Sequence, residues 1–141
     1  MAYTTIDDPE AYFQARAFTG NQGTLAVTLD GDTDMLPTML WIKPRETASY
    51  GWKVWDSVRG ATTYVETNYA GAEGTGSGVD SFDSDGFTLG SYRGANDSAG
   101  NIAWCWKESA TAGFDIVLYT GSGSARTISH SLSAVPHFNT S

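Results

Sequence analysis

The sequence predicts an all-β fold, a two-sheet antiparallel β-sandwich of the concanavalin or jelly-roll type. Apolar and polar residues alternate with a period of two rather than 3.6; over residues 24–29, for example, Leu25, Val27 and Leu29 share one face. Gly, Ser and Thr make up 47 of the 141 residues, which is a composition of strands and turns. Turn sequences separate the alternating segments at the spacing that is typical of a sandwich.

The predicted strands follow this alternation in chain order. They cover residues 12–19, 24–29, 39–43, 51–55, 62–69, 87–89, 102–107, 114–120 and 127–131. Residues 39–43 are apolar enough for burial on both faces, and residues 114–120 are β-branched and aromatic and begin a C-terminal hairpin. We expect only one helical turn, at residues 7–10, with Asp8 as its N-cap and Pro9 at its first position.

Glycine-rich and polar segments mark the loops between these strands. Residues 20–23 and 121–124 are predicted hairpin loops, and Asp85-Gly86 is the signature of a type I′ hairpin turn. Residues 71–78 and 94–100 hold few apolar groups, so we expect both to be polar surface loops.

One domain accounts for the whole chain, residues 1–141, and its C-terminal part echoes its beginning. Residues 114–121 match residues 13–20, and both stretches continue through a Gly-rich loop to a proline, Pro37 or Pro136, at offsets of 101 and 99 residues. Residues 114–141 therefore resemble the first strands, 13–37, of a second unit. Because a lone hairpin is marginal in water, we expect this segment to pair with a sheet edge, of the same sandwich or of a neighbouring subunit.

The charge and the cysteine content exclude several functions. Sixteen acidic and eight basic residues give a net charge of −8, which argues against a nucleic-acid partner. Cys105 is the single cysteine, so the chain forms no internal disulfide and no thiolate zinc site. The N-terminus lacks the pattern of a signal peptide, and no apolar run is long enough for membrane insertion. We therefore expect synthesis in a cytoplasm.

The titratable residues do not form a recognisable catalytic or metal motif. Residues 30–34 begin like a calcium loop, but Met35 and Trp41 occupy the positions that need Gly and Glu. We expect the acidic turns 30–34 and 80–85 to be solvated, with a loose cation site left open. No nucleophile elbow accompanies His130 or His137, and Glu66 is the one strand carboxylate that suggests catalysis. The sequence thus predicts no enzyme, no catalytic residue, no bound metal and no cofactor.

Three residues are the candidates for ligand binding: Trp52, Trp55 and Arg59. The two indoles fall on opposite faces of one predicted strand, so one of them should face outward and could stack on a sugar or anchor an interface. Arg59 either contacts a ligand or pairs with a buried Asp56, with Gly60 in a special backbone conformation; we favour the ion pair because a buried charge needs a partner. The remaining strand tryptophans are predicted to be core or half-core residues, namely Trp41, Trp104 and Trp106.

A family resemblance covers nearly the whole chain. It rests on residues 9–13, 18–20, 40–43, 56–60 and 81–90, on Asn96, and on residues 103–107. The most specific pieces are Asp-Ser-Val-Arg-Gly at 56–60 and Trp-Cys-Trp-Lys at 104–107. In this order they resemble the repeated, lectin-like β-sandwich domain of tail-fibre and related virion proteins of marine bacteriophages.

This resemblance implies a concanavalin-like double sheet and a structural role in a virion, without a catalytic residue. The function we expect is that of a surface-exposed adhesive or receptor-binding module of the tail-fibre type, which contacts other virion proteins and host surface glycans. The alternative is a capsid decoration or head/tail accessory protein that acts only through protein–protein interfaces. Both interpretations predict a homo-oligomer or a repeated copy on the particle.

Overall fold

The computed structural model describes residues 6–136 and shows an almost purely β architecture for them. A single turn of 3-10 helix occupies Pro9–Ala11; Asp8 caps it by accepting a hydrogen bond from Glu10 N, as the sequence predicts. The strands of this part of the chain are β1 (Phe13–Thr19), β2 (Leu25–Thr28), β3 (Met39–Pro44), β4 (Lys53–Asp56), β5 (Thr63–Glu66), β6 (Gly74–Thr75), β7 (Val79–Asp83), β8 (Gly86–Leu89) and β9 (Gly100–Trp106).

These strands form two antiparallel sheets, so the predicted fold class is confirmed. The larger sheet has the order β1-β9-β3-β4-β5-β6, and the smaller sheet has the order β2-β8-β7. β9, the last strand of residues 6–136, lies between the edge strand β1 and β3 in the larger sheet. Among residues 6–136 there is no helix long and apolar enough to cross a membrane.

The core lies between the two sheets and is built from alternate residues of each strand. The fully buried side chains of the larger sheet include Leu40, Ile42 and Trp55, and the smaller sheet contributes Phe87 and Leu89. Each such side chain stabilises the fold by roughly 1.5–3 kcal/mol when it leaves water. The inward residues of β9 are small, namely Ala103 and Cys105, which lets the sheets approach closely at the centre.

The turn between β7 and β8 differs in type from the predicted turn. Asp83 pairs with Gly86, so the hairpin exists. However, a type I′ turn needs positive φ at both central residues, and neither Ser84 nor Asp85 has it. Gly86 carries the positive φ instead, at +127°, and a Cβ there would overlap the carbonyl oxygen of Val27 in the neighbouring strand. Close approach of β2 is therefore what requires glycine.

Two strands were not predicted, and one predicted hairpin is wrong. β6 lies within the expected surface loop 71–78, and β7 contains two aspartates and a bulge at Val79–Ser81. Neither strand was predicted because the strand propensity of these residues is weak. The loop 20–23 is not a hairpin loop, because it connects β1 of the larger sheet to β2 of the smaller one. β5 is also shorter than predicted and ends at Glu66.

The predicted C-terminal strands are absent from the structure. Residues 115–136 belong to no strand, and the segment makes only one bridge, between Ser109 and Phe114. The strand that ends beside it, β9, already has β1 and β3 on its two sides, so this segment cannot pair with β9. The interpretation of residues 114–120 as a closing strand of this sandwich is therefore wrong. His137 lies outside the described residues.

The expected surface loop 94–100 is instead a buried polar junction. Asn96 is fully buried; its amide group donates to the carbonyl oxygens of Gly23 (2.6 Å) and Gly90 (2.8 Å), and its side-chain oxygen accepts from Asn21 N (2.8 Å). Next to it, Asp97 accepts hydrogen bonds from Ala99 N (3.0 Å) and from the Thr47 hydroxyl (3.3 Å). The loop thus ties the β1–β2 connection to the end of β8.

We predict that Asp97→Asn destabilises the protein in a pH-dependent manner. The hydrogen bond from Ala99 N is the main reason that the pKa of Asp97 lies below its ordinary value. The charged form therefore stabilises the fold above the unfolded pKa, and this contribution is lost as the pH falls through the folded pKa. Urea unfolding at pH 7 should show a free energy of unfolding that is about 1–3 kcal/mol lower for the variant than for the original protein. This difference between the two proteins should become smaller below pH 4. Asp32→Asn, at an exposed position, is the control and should change little at any pH.

Candidate functional site

The outer face of the larger sheet carries a cluster of tryptophans. Because Leu40 and Ile42 of β3 point into the core, Trp41 points outward; in β9 the inward Ala103 and Cys105 likewise place Trp104 and Trp106 outside. Trp52, just before β4, joins them, and Phe13 of β1 lies at one end. All four indoles are partly exposed. We call this set of residues the tryptophan face.

The rings of the tryptophan face contact one another in a continuous row. The ring centroids are 5.1 Å apart for Phe13–Trp106, 6.2 Å for Trp106–Trp41, 5.4 Å for Trp41–Trp52 and 4.6 Å for Trp52–Trp104. Tilted and edge-to-face arrangements at these distances are favourable for aromatic pairs. The row crosses β1, β9, β3 and the start of β4, so strand pairing fixes the relative positions of the rings.

The surroundings of this row are apolar and carry little free charge. In strand register, Trp104 lies opposite Ala15 on one side and Trp41 on the other, and Trp41 lies opposite Val54. Lys43 shares the face, but its ammonium group is engaged, donating to Pro44 O at 2.7 Å. Near Phe13 and Trp106 the surface deepens into a cavity of about 220 Å³, which is also lined by Pro9, Tyr12, Phe114 and one charged residue, Lys107.

Of the three predicted ligand-binding residues, the two tryptophans lie on opposite faces of the larger sheet. Trp55 is fully buried in the core, 5.4 Å from the ring of Tyr64, so it cannot contact a ligand in this conformation. Trp52 is the outward-facing one and belongs to the tryptophan face. The expectation that only one of the two would look outward is confirmed.

Arg59 is held by two carboxylates. It pairs with Asp56 and, at 2.7 Å, with the exposed Glu73. Asp56 is almost completely buried and also accepts hydrogen bonds from Val58 N and Arg59 N, at 3.0 and 2.8 Å. Gly60 has φ of +96°. The predicted Asp56–Arg59 pair is therefore confirmed, and it closes the loop between β4 and β5.

The remaining chemically active groups have structural partners. Glu66 pairs with the buried Lys53 at 3.0 Å, and the Lys53 ammonium group lies 5.6 Å from the ring centres of Tyr64 and Tyr92. Burial raises the pKa of the Cys105 thiol to about 12, so it is not a thiolate at neutral pH.

The acidic turns also make local contacts. Asp30 pairs with Arg16, Asp85 accepts a hydrogen bond from Met35 N at 3.3 Å, and Asp83 accepts from the hydroxyls of Ser81 and Thr88. Within residues 6–136, no three His, Cys, Asp or Glu side chains are grouped to hold a metal ion.

A family model described as a domain of unknown function, DUF7483, matches residues 8–139. The chain belongs to the DUF7483 family. No curated protein and no solved structure matches the chain significantly. The match includes β1 to β9 and also extends over the coil that follows β9, so that coil is part of the DUF7483 domain.

Trp41, Trp104 and Trp106 of this DUF7483 domain, predicted to be core or half-core residues, are half-buried on the outer face of the larger sheet. Alternation alone shows that Ile102, Trp104 and Trp106 share one face and that Ala103 and Cys105 share the other, but it does not show which face is inside. Size favours the tryptophans as core residues. The inward face of β9 is the one with Ala103 and Cys105, which join Phe87 and Leu89 of the smaller sheet in one buried cluster.

We predict that Arg59 stabilises the DUF7483 domain. Arg59→Ala leaves the buried Asp56 carboxylate without its ionic partner, although two backbone amides still bind it. Chemical unfolding should show that Arg59→Ala lowers the free energy of unfolding by about 1–3 kcal/mol. Glu73→Gln removes the exposed partner of the same guanidinium group and should cost no more than about 0.5 kcal/mol. Equal effects of the two changes would contradict this assignment.

Proposed function

We propose that this domain is a non-enzymatic adhesive module on the surface of a bacteriophage virion, which binds neutral host surface glycans through the tryptophan face. The observation that carries the proposal is the row of four partly exposed indoles on the outer face of the larger sheet. A monomeric soluble domain rarely leaves such an apolar patch without a binding role.

The chemistry of the face favours sugar rings. A pyranose has apolar C–H surfaces and polar edges, which match an indole that is apolar on its face and polar at its N–H. The row extends over four strands, so it can follow consecutive units of an extended chain. Of the charged residues beside the indoles, Lys43 and Lys53 are already engaged, and Lys107 lines the cavity next to Trp106. Together with the net charge of −8, this favours a neutral glycan over an anionic one.

The virion assignment is supported by the sequence resemblance to phage tail-fibre domains. It implies a protein that is made in the host cytoplasm, assembles with other virion proteins and is present in repeated copies. A sandwich suits this role because its core is complete without the tryptophan face. The face is then free to vary without loss of the fold.

A capsid decoration or head/tail accessory protein is the second candidate, and one observation favours it. Val117, Leu118 and Tyr119 are exposed after β9, and such side chains suit a protein interface as well. Immuno-electron microscopy of the particle would separate the two roles. Tail labelling supports adhesion, and regular labelling of the shell supports decoration.

We predict that Trp52→Ala and Trp104→Ala weaken glycan binding at least about tenfold while the fold is retained, because truncation of a central aromatic anchor has an effect of this size. A glycan array on the purified protein identifies a neutral ligand, and titration of tryptophan fluorescence measures the affinity. Tyr69→Ala is the matched control, since Tyr69 is 70% exposed but lies outside the tryptophan face. Circular dichroism checks the fold of each variant.

The proposal fails if the array shows no neutral glycan, or if the Tyr69 variant loses binding to the same extent as the tryptophan variants. A shift of binding to anionic glycans would contradict the charge argument.

A further inference from the structure

The segment after β9 has the composition of a strand, but its pairing is limited to the bridge between Ser109 and Phe114. Residues 114–120, which we call the tail segment, include Val117, Leu118 and Tyr119, with 38%, 44% and 53% of their surface exposed. From residue 115 to residue 136 the described chain makes no backbone–backbone hydrogen bond. Side chains bind only the Ile116 amide and the Thr120 carbonyl within residues 115–120. An apolar segment whose backbone groups are not in a ladder is a template for pairing with a sheet edge.

The same sequence pattern already forms an edge strand in this chain. The tail segment and the following glycine read Phe-Asp-Ile-Val-Leu-Tyr-Thr-Gly, and β1 and its following glycine read Phe-Gln-Ala-Arg-Ala-Phe-Thr-Gly. β1 pairs along all seven of its residues with β9. The tail segment is richer than β1 in the β-branched and aromatic residues that favour strands, so it lacks only a partner.

One sheet edge in the described structure suits such a partner best. β1 pairs with β9 alone, has seven residues and contains neither proline nor a bulge. The other edges are less suitable, because β6 has two residues, β2 has four, and β7 is interrupted by its bulge and carries two aspartates.

The charges of the two strands are complementary. Arg16 is the single charged residue of β1, and Asp115 is the single charged residue of the tail segment. The Arg16 side chain is one-third exposed and pairs with Asp30 of the same chain, while its Nε atom is buried without a hydrogen-bond partner among the described residues. Asp115 accepts hydrogen bonds from the backbone amides of Ile116 and Ser131, which it would exchange for Arg16. An added strand that brings a carboxylate to this edge would supply the missing acceptor.

Pairing of the tail segment with β1 of its own chain is disfavoured by the relative direction of the two strands. Trp106 pairs with Phe13, so β9 ends where β1 begins. The tail segment leaves from that end and could follow its own β1 only in the parallel direction, which is the less stable pairing. A second copy is free to approach in the antiparallel direction.

We propose that the tail segment of one copy adds as an antiparallel strand to the free edge of β1 in a second copy, so that the protein assembles through exchanged tails. The Arg16 and Asp115 side chains then form an ion pair between copies. This assembly does not depend on glycan binding, since it uses the edge of the sheet and not the tryptophan face.

Light scattering after size-exclusion chromatography of the full chain, over a range of concentrations, tests the proposal. We expect a dimer or larger assembly. Leu118→Pro should raise its dissociation constant by about tenfold or more, because proline removes a ladder donor and is excluded from paired strands. The monomer should stay folded, since Leu118 makes no backbone hydrogen bond. Ala125→Pro, in the same coil but beyond the tail segment, is the matched control and should leave assembly unchanged.

A charge exchange identifies the edge. Arg16→Glu should weaken assembly, and Arg16→Glu combined with Asp115→Arg should restore it; Asp30→Asn is present in both variants, so that the new glutamate does not face the carboxylate that pairs with Arg16. A monomer at all concentrations overturns the proposal, as does an assembly that persists in Leu118→Pro. Failure of the double variant to restore assembly overturns the assignment to β1.

Discussion

The buried amide of Asn96 is the constraint on which the arrangement of the two sheets depends. Its hydrogen bonds join the loop after β1, in the larger sheet, to the end of β8, in the smaller one. A buried polar group without partners costs about 1–3 kcal/mol. An arrangement of the β1–β2 connection and the end of β8 that broke the hydrogen bonds of Asn96 would therefore be less stable. Gly20 belongs to the same constraint, because a Cβ there would overlap the carbonyl oxygen of Asp97. With the crossing between sheets fixed, the inward face of every strand is fixed as well.

The tryptophan face follows from that choice of inward residues. Phe87 and Leu89 of the smaller sheet belong to the same buried cluster as Ala103 and Cys105, which face inward in β9. Since the period of a strand is two, the large residues between them must then point outward. The indoles therefore lie outside because Ala103 and Cys105 occupy the inner face of β9. The contacts among the indoles bury only part of their apolar surface, and the rest stays in water.

The sequence allowed the fold class and the strongly alternating strands to be predicted, because β1, β2, β3 and β9 have a clear period of two. It also allowed the Asp56–Arg59 pair to be predicted, because both charges lie within one short loop. It did not reveal β7, whose aspartates and bulge are tolerated only because β8 pairs with it. Nor did it reveal the burial of Asn96, since polar loop sequences look alike whether their groups bind water or each other. The outward position of Trp41 depends on the opposite sheet, which lies far away in the sequence.

The tail segment shows why local propensity and pairing must be separated. Its side chains favour a strand, yet a strand forms only where a neighbour accepts and donates its backbone hydrogen bonds. Side chains bind two of the backbone groups of residues 115–120, the Ile116 amide and the Thr120 carbonyl. The others make no hydrogen bond within the described chain and cost little while water can reach them. Docking of Val117 and Leu118 against an apolar surface by side chains alone would remove that water and leave several backbone groups unsatisfied, at a cost that exceeds the gain from two aliphatic side chains. Only a sheet edge satisfies the backbone and the side chains together, so any stable contact of this segment has to be a strand pairing.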